Sequence, residues 1–297
     1  MATSALPEAL LGRYALVTRA RGVRTGERSA REAGQSVEFL DYRPYQPGDE
    51  PRAVDWRAYA RSGRLYTRLY HAERAADLHV LLDTSPSMRL YGKRRWASAL
   101  ARVLTGLGRH EAGTRVHLLD GRASAPGRGR RDVAALRRFV EAAGEVPEQE
   151  DVSLADRWAA RLLALPPHPG AAVAVAISDL LDSAPLRPLL AAARARRVDL
   201  LLLHTLGAAE LGPESGRFEL VDVEDGSVVE VGPEEVRAYR EAVLDFVARV
   251  PAETASAGQR HVLLPAPAEA AERATDDARL ERAAFAALVR AGVVARR

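Results

Sequence analysis

The sequence predicts an α/β protein: a doubly wound, mostly parallel sheet preceded by a short β-containing N-terminal extension. Three observations carry the prediction. From Leu78 onward short apolar runs alternate with helix-like stretches, the order produced when crossover helices join parallel strands. The middle runs, such as Ala171 to Ile177, are apolar at every position, as strands must be when helices cover both faces of a sheet. Residues 1–75 lack this rhythm and are dense in turn formers.

Taken in order, the extension spans residues 1–75. Arg19 to Arg31 is rich in Gly, Arg, Ser and Thr, too polar to pack, and reads as a flexible arm. Val37 to Tyr42 and Leu65 to Tyr70 are strand-like, with Pro44, Pro47-Gly48-Asp49 and Ser62-Gly63 between them. Pro47-Gly48 suits a type II turn, which needs a fixed φ followed by a positive one. Residues 76–297 make up the wound domain. Its strands are expected at Leu78 to Leu82, Arg115 to Leu119, Ala171 to Ser178, Val198 to Thr205 and Arg260 to Leu264. Helices are expected at Lys93 to Arg109, Asp132 to Ala143, Leu154 to Leu165, Leu186 to Arg197 and Pro233 to Val250, where apolar residues recur at helical spacing. Pro233 after Gly232 fits a first helical turn. Phe218 to Val221 and Ser227 to Val231, joined through Glu224-Asp225-Gly226, read as a hairpin before the last long helix.

Composition removes several classes of function. No cysteine occurs among the 297 residues, which excludes disulfides, thiolate catalysis, iron–sulfur clusters and zinc–thiolate sites. No apolar run approaches the roughly 18 residues of a membrane span, and no apolar leader follows a basic start, so a cytoplasmic, soluble protein is expected. The net charge is +3, with 40 acidic residues against 43 basic ones. Lys93 is the only lysine, a bias better explained by a GC-rich coding sequence than by an anionic partner. Nucleic acid is not implied. The stretch Arg122 to Arg131 has no aromatic residue to stack on a base and reads as a solvated loop, with phosphate contact as a lesser option. The seven histidines are scattered without ligand spacing.

One loop carries chemistry. Asp83-Thr84-Ser85-Pro86-Ser87-Met88 follows the first strand of the wound sheet, so Asp83, Ser85 and Ser87 offer three hard oxygen donors where such folds bind ligands. A bare Asp-x-Ser-x-Ser also suits a solvated turn. Asp179 follows the most apolar strand and would meet Asp83 if the two strands are neighbours. A helix cap is the plainer reading of Asp179.

These residues resemble the metal-ion-dependent adhesion site (MIDAS) of von Willebrand factor A domains. Upstream, Glu38-Phe39, Arg43, Tyr45, Pro47-Gly48-Asp49, Val54-Asp55-Trp56, Ala60-Arg61, Leu65-Tyr66 and Glu73-Arg74 resemble the bacterial family called domain of unknown function 58. The resemblance implies a von Willebrand factor A-like fold. It also implies magnesium, with manganese or calcium as alternatives, held by the hydroxyls of Ser85 and Ser87 and by Asp83 and Asp179 through water. An open coordination position would accept a partner's carboxylate. The adhesion site normally adds a threonine; here Ser153 could substitute, Val152 could fall at that position and weaken the site, and Ser153 could equally be a helix cap. The upstream residues Arg43, Asp49, Asp55, Arg61 and Arg64 are expected to form a structural ion-pair network with Trp56 and Tyr66 as apolar anchors, no nucleophile or base standing near them.

The resulting expectation is a non-enzymatic, metal-dependent interaction module. Within the resembled family the implied partner is a MoxR-type AAA ATPase, acting with a client protein that presents an acidic residue, in chaperone-like assembly or maturation of complexes. The competing expectation is a metal-assisted hydrolase using Asp83 and Asp179. Against it, the residue two places after Asp83 is Ser85 rather than a second carboxylate, and neither a Gly-x-Ser-x-Gly elbow nor a Walker loop is present.

Overall fold

The computed structural model describes residues 6–18, 38–47, 54–71, 76–108, 111, 113–143, 152–166, 172–182, 184–212, 214, 216–221, 226–272 and 274–296. In chain order the elements are α1 (Glu8–Leu11), β1 (Tyr14–Leu16), β2 (Glu38–Pro44), α2 (Trp56–Ser62), β3 (Tyr66–His71) and β4 (Asp77–Leu82). A 3-10 segment, Pro86–Gly92, then leads into α3 (Lys93–Leu107), followed by β5 (Gly113–Leu118), α4 (Gly129–Glu141), α5 (Leu154–Leu163) and β6 (Ala172–Ser178). The remainder comprises α6 (Arg187–Ala195), β7 (Val198–His204), α7 (Ala208–Leu211), β8 (Phe218–Val221), β9 (Val228–Val231), α8 (Pro233–Ser256), β10 (Arg260–Leu263), α9 (Ala268–Ala271), α10 (Asp277–Arg290) and β11 (Val294–Arg296).

The five expected strands form one sheet in the order β10-β7-β6-β4-β5, parallel at every pairing. β4 lies between β5 and β6, with Leu82 opposite both Leu118 and Ile177. From β4 the chain winds outward to β5, then returns to build β6, β7 and β10 on the other side. The reversal falls between β4 and β6, which opens a crevice at their carboxyl ends.

Alternation sorts the strand side chains into two cores. Leu78, Val80 and Leu82 join Val173, Val175, Ile177, Leu201 and Leu203 under α3, α4 and α10. Leu81, Ala174, Ala176, Leu200 and Leu202 face α5 and α6. Small alanines on β6 let Trp158 of α5 settle on that face, 1% exposed. Each large apolar side chain so buried contributes about 1.5–3 kcal/mol.

Several expectations need correction. The stretch between β2 and β3 contains a helix, α2, begun by Asp55 accepting from the N–H groups of Arg57 and Ala58 and ended by Gly63 at φ 66; the density of turn formers conceals it. α8 runs on through Pro251 to Ser256, its last turns held by the Thr254 hydroxyl, which donates to the carbonyls of Val250 and Pro251. Nor is α8 the last long helix. α10 follows, capped by Asp276 and burying Leu280, Ala284, Phe285 and Leu288, a spacing legible in the sequence. The stretch from Arg122 to Arg131 is tied to the sheet rather than free, because Ala123 and Gly127 bridge antiparallel to His117 and Thr114. The open edge of β5 supplies unpaired backbone groups that this segment satisfies.

β2 and β3 pair antiparallel, as do β8 and β9, and β1 pairs with β11. Tyr14 meets Phe285 edge to face at 5.0 Å. The arm from Arg19 to Arg31, the Gly48 turn position and Asp49 lie outside the described residues, as do Glu73 and Arg74. Among the described residues no helix is long and apolar enough to cross a membrane.

Candidate functional site

The crevice is built from the loops after β4, β6 and β7. β4 delivers Asp83, whose backbone N–H continues the ladder by donating to Ile177 at 3.0 Å. β6 delivers Ser178 and Asp179. The two carboxylates, far apart in sequence, therefore meet because their strands are adjacent.

Asp83 is 1% exposed. Its Oδ1 accepts from the Ser85 N–H at 2.8 Å and its Oδ2 from the Ser178 hydroxyl at 2.5 Å. The Ser178 oxygen accepts in turn from the Leu180 N–H at 2.8 Å, so one chain of hydrogen bonds joins both strand ends. Burial and then the Asp179 carboxylate push the Asp83 pKa up to about 6, against the pull of its hydrogen bonds. Ser85 Oγ and Ser87 Oγ are half-buried and stand 3.1 Å apart.

Sequence reasoning missed the residue at the centre. Lys93 opens α3 and is fully buried, its Nζ donating to Asp179 Oδ2 at 2.7 Å and also to Glu210 Oε1. Glu210, on α7, further accepts from the Gly207 N–H at 2.6 Å. One ammonium thus ties the loops after β4, β6 and β7. The available signal was compositional: Lys93 is the one lysine among 43 cations, and a lysine is a compact point charge where an arginine is a planar fork. Glu210 had no comparable signal.

The backbone is unusual at the same place. Tyr91 and Leu180, both non-glycine, have φ of 54°, a conformation such residues seldom adopt without a tertiary cause. Gly92, at φ 75°, lies so close to the Ala270 backbone that a Cβ would overlap it, and a Cβ on Gly207 would overlap Tyr91. Close backbone approach therefore fixes the route from the Asp83 loop into α3.

Ser153 serves as the N-cap of α5, accepting from the Asp156 N–H and donating to Asp156 Oδ2 at 2.7 Å. Val152 beside it is exposed. The Leu154 N–H donates to Asp182 at 2.7 Å, which moors this turn to the loop that carries Asp179. Two buried hydroxyls, Thr84 Oγ1 and Thr205 Oγ1, have no partner among the described residues.

Does this donor set suit magnesium? An octahedron with metal–oxygen distances of about 2.1 Å places neighbouring oxygens roughly 3.0 Å apart, and the Ser85–Ser87 separation of 3.1 Å matches that edge. Three carboxylates against one ammonium leave a formal charge that one divalent cation balances. The same separation is that of a hydrogen bond between the two hydroxyls, and among the described residues no three His, Asp or Glu side chains form a metal cage, so a metal reading rests on the hydroxyls.

Of the upstream residues, Asp55 is buried and accepts from the Tyr42 hydroxyl at 2.8 Å besides capping α2. Arg43 donates to Gln46 at 2.8 Å. Pro47 and Arg61 are exposed. Trp56 is 59% exposed, which overturns its expected role as an apolar anchor. Tyr66 does pack, meeting Tyr42 at 6.2 Å. Four of the seven histidines pair in space despite their scatter: His79 Nδ1 lies 3.1 Å from His117 Nε2, and His204 Nδ1 lies 3.2 Å from His261 Nε2.

A family model described as Protein of unknown function DUF58 matches residues 41–253, and the chain belongs to that family. No curated protein matches it.

Proposed function

We propose that this DUF58 member is a non-enzymatic docking module of the von Willebrand factor A-like kind, with a divalent cation at the end of β4 and β6 as its point of attachment. Ser85 and Ser87 would hold magnesium, with Asp83 and Asp179 behind them, and Ser153 would contribute little because its hydroxyl already caps α5. When bound, the ion supplies an electrophilic position for a carboxylate from another protein. The chain's own residues set up that position. Lys93 holds Asp179 in place, and Ser178 with the Ser85 N–H holds Asp83.

The observation that carries the reading is the 3.1 Å pair of seryl oxygens beside two aspartates brought together at the switch point. Neutral hydroxyls with buried carboxylates behind them leave an ion electrophilic toward an incoming anion. The partner suggested by the family resemblance is a MoxR-type AAA ATPase, with an acidic client, in chaperone-like assembly. The test is co-purification of such an ATPase with the intact chain. Capture in magnesium that is lost in EDTA and in Asp83→Ala supports the proposal. Capture indifferent to both overturns it, and turnover of a phosphate ester lost in Asp83→Asn would put the hydrolase in its place.

A further inference from the structure

The crevice leaves the most exposed aromatic cluster of the upstream motif unexplained. α2 has no buried residue. Trp56 is 59% and Tyr59 44% exposed, and Leu65, two residues past the Gly63 cap, is exposed as well. Arg57, Arg61 and Arg64 are exposed on the same short segment. Between Val54 and Thr67 the only acidic residue is Asp55, which is buried and occupied as the helix cap and as acceptor for Tyr42. The described segment 54–67 is therefore cationic and aromatic, with no exposed acid of its own.

A tryptophan left in water forgoes a large burial gain. Trp, Tyr and Arg together are the residues that dominate binding energy at protein interfaces. We propose that the α2 surface, Trp56, Arg57, Tyr59, Arg61 and Arg64, is a second docking site whose occupant is an acidic polypeptide segment carrying an apolar side chain. The apolar side chain covers Trp56 and the acids meet the arginines. A nucleic-acid strand fits less well. Trp56 and Tyr59 stand edge to face at 89°, so they offer no common ladder for successive bases, and the net charge of the chain is only +3, a weak general attraction for a polyanion. The site does not depend on the cation crevice.

Trp96 and Trp158 are 3% and 1% exposed, so a ligand at α2 perturbs the emission of Trp56 alone. The intact chain is titrated in EDTA, which silences the crevice, with three probes: a twelve-residue peptide alternating Glu and Leu, its Lys-for-Glu counterpart, and a twelve-nucleotide oligothymidylate. Saturable change with the acidic peptide is expected, weakened about tenfold or more, or over about 1.4 kcal/mol, in Arg57→Glu/Arg61→Glu. A label on the peptide gives the same comparison for Trp56→Ala, whose emission is lost. A basic peptide that binds as well, no response to the acidic peptide, or indifference to the arginine reversals overturns the proposal. Tighter binding of the oligothymidylate assigns the surface to nucleic acid instead.

Discussion

The crevice and the α2 surface break the ordinary rules of burial in opposite directions. At the crevice, Lys93, Asp83, Asp179 and Glu210 are all buried, and folding bears the cost of desolvating them. At α2, Trp56 and Tyr59 stay exposed, and folding forgoes their burial. The first is cross-linked by hydrogen bonds from three strand ends. The second is a seven-residue helix held by Asp55 and Gly63, presenting side chains that gain only when something covers them. A site that orients an ion, as proposed for the crevice, is built in advance. A site that adapts to a peptide can be left on the surface.

The contrast breaks most readily at Lys93. Lys93→Met leaves Asp179 and Glu210 buried without their shared cation, and a loss of about 3–5 kcal/mol in urea unfolding is expected. A loss below about 1 kcal/mol would mean that the carboxylates reach water and that the crevice is not rigid.

A second, smaller effect comes from the neighbouring buried polar pair. Burial, then His79, and then Arg161 and Arg115 lower the His117 pKa from 6.5 to about 3. The unfolded chain binds this proton first, so the stabilising contribution of neutral His117 is complete above pH 6.5 and is lost as the pH falls toward 3. Unfolding free energies from urea titrations between pH 7 and pH 5 should fall with a slope of up to about 1.4 kcal/mol per pH unit from this group. His117→Phe should flatten that slope, and an unchanged slope would remove the histidine from the account.

The smallest effect belongs to α2. Trp56→Ala should alter stability by no more than about 0.5 kcal/mol, because Trp56 is largely exposed and its ring contact is to the likewise exposed Tyr59. A loss of 2 kcal/mol or more, of the size given by buried aromatics, would show that Trp56 anchors the fold after all and would dissolve the comparison.

The sequence announced the wound sheet well, because strands buried on both faces are apolar throughout and Ala172 to Ser178 could be little else. Asp83 and Asp179 were legible for the same reason: each follows an unmistakable strand. Their adjacency was conditional on strand order, which pairing alone determines. Lys93 and Glu210 were not legible as partners, since nothing local in a sequence says which loop of three a long side chain will reach. α2 was hidden by flanking Pro and Gly, although Asp55 before Trp56 is an ordinary helix start. Exposure of Trp56 ran against the expectation from hydrophobicity, and such failures gather where a surface has work to do.

The central claim is that the β4–β6 crevice takes a divalent cation on seryl oxygens. Thermal unfolding of the intact chain in millimolar magnesium and in EDTA tests it most directly, because an ion that binds only the folded state raises the transition temperature. The account predicts a saturable rise in the parent chain, absent in Ser85→Ala/Ser87→Ala at unchanged stability in EDTA. The same curve in magnesium and EDTA, or a rise that survives the loss of both hydroxyls, would contradict it.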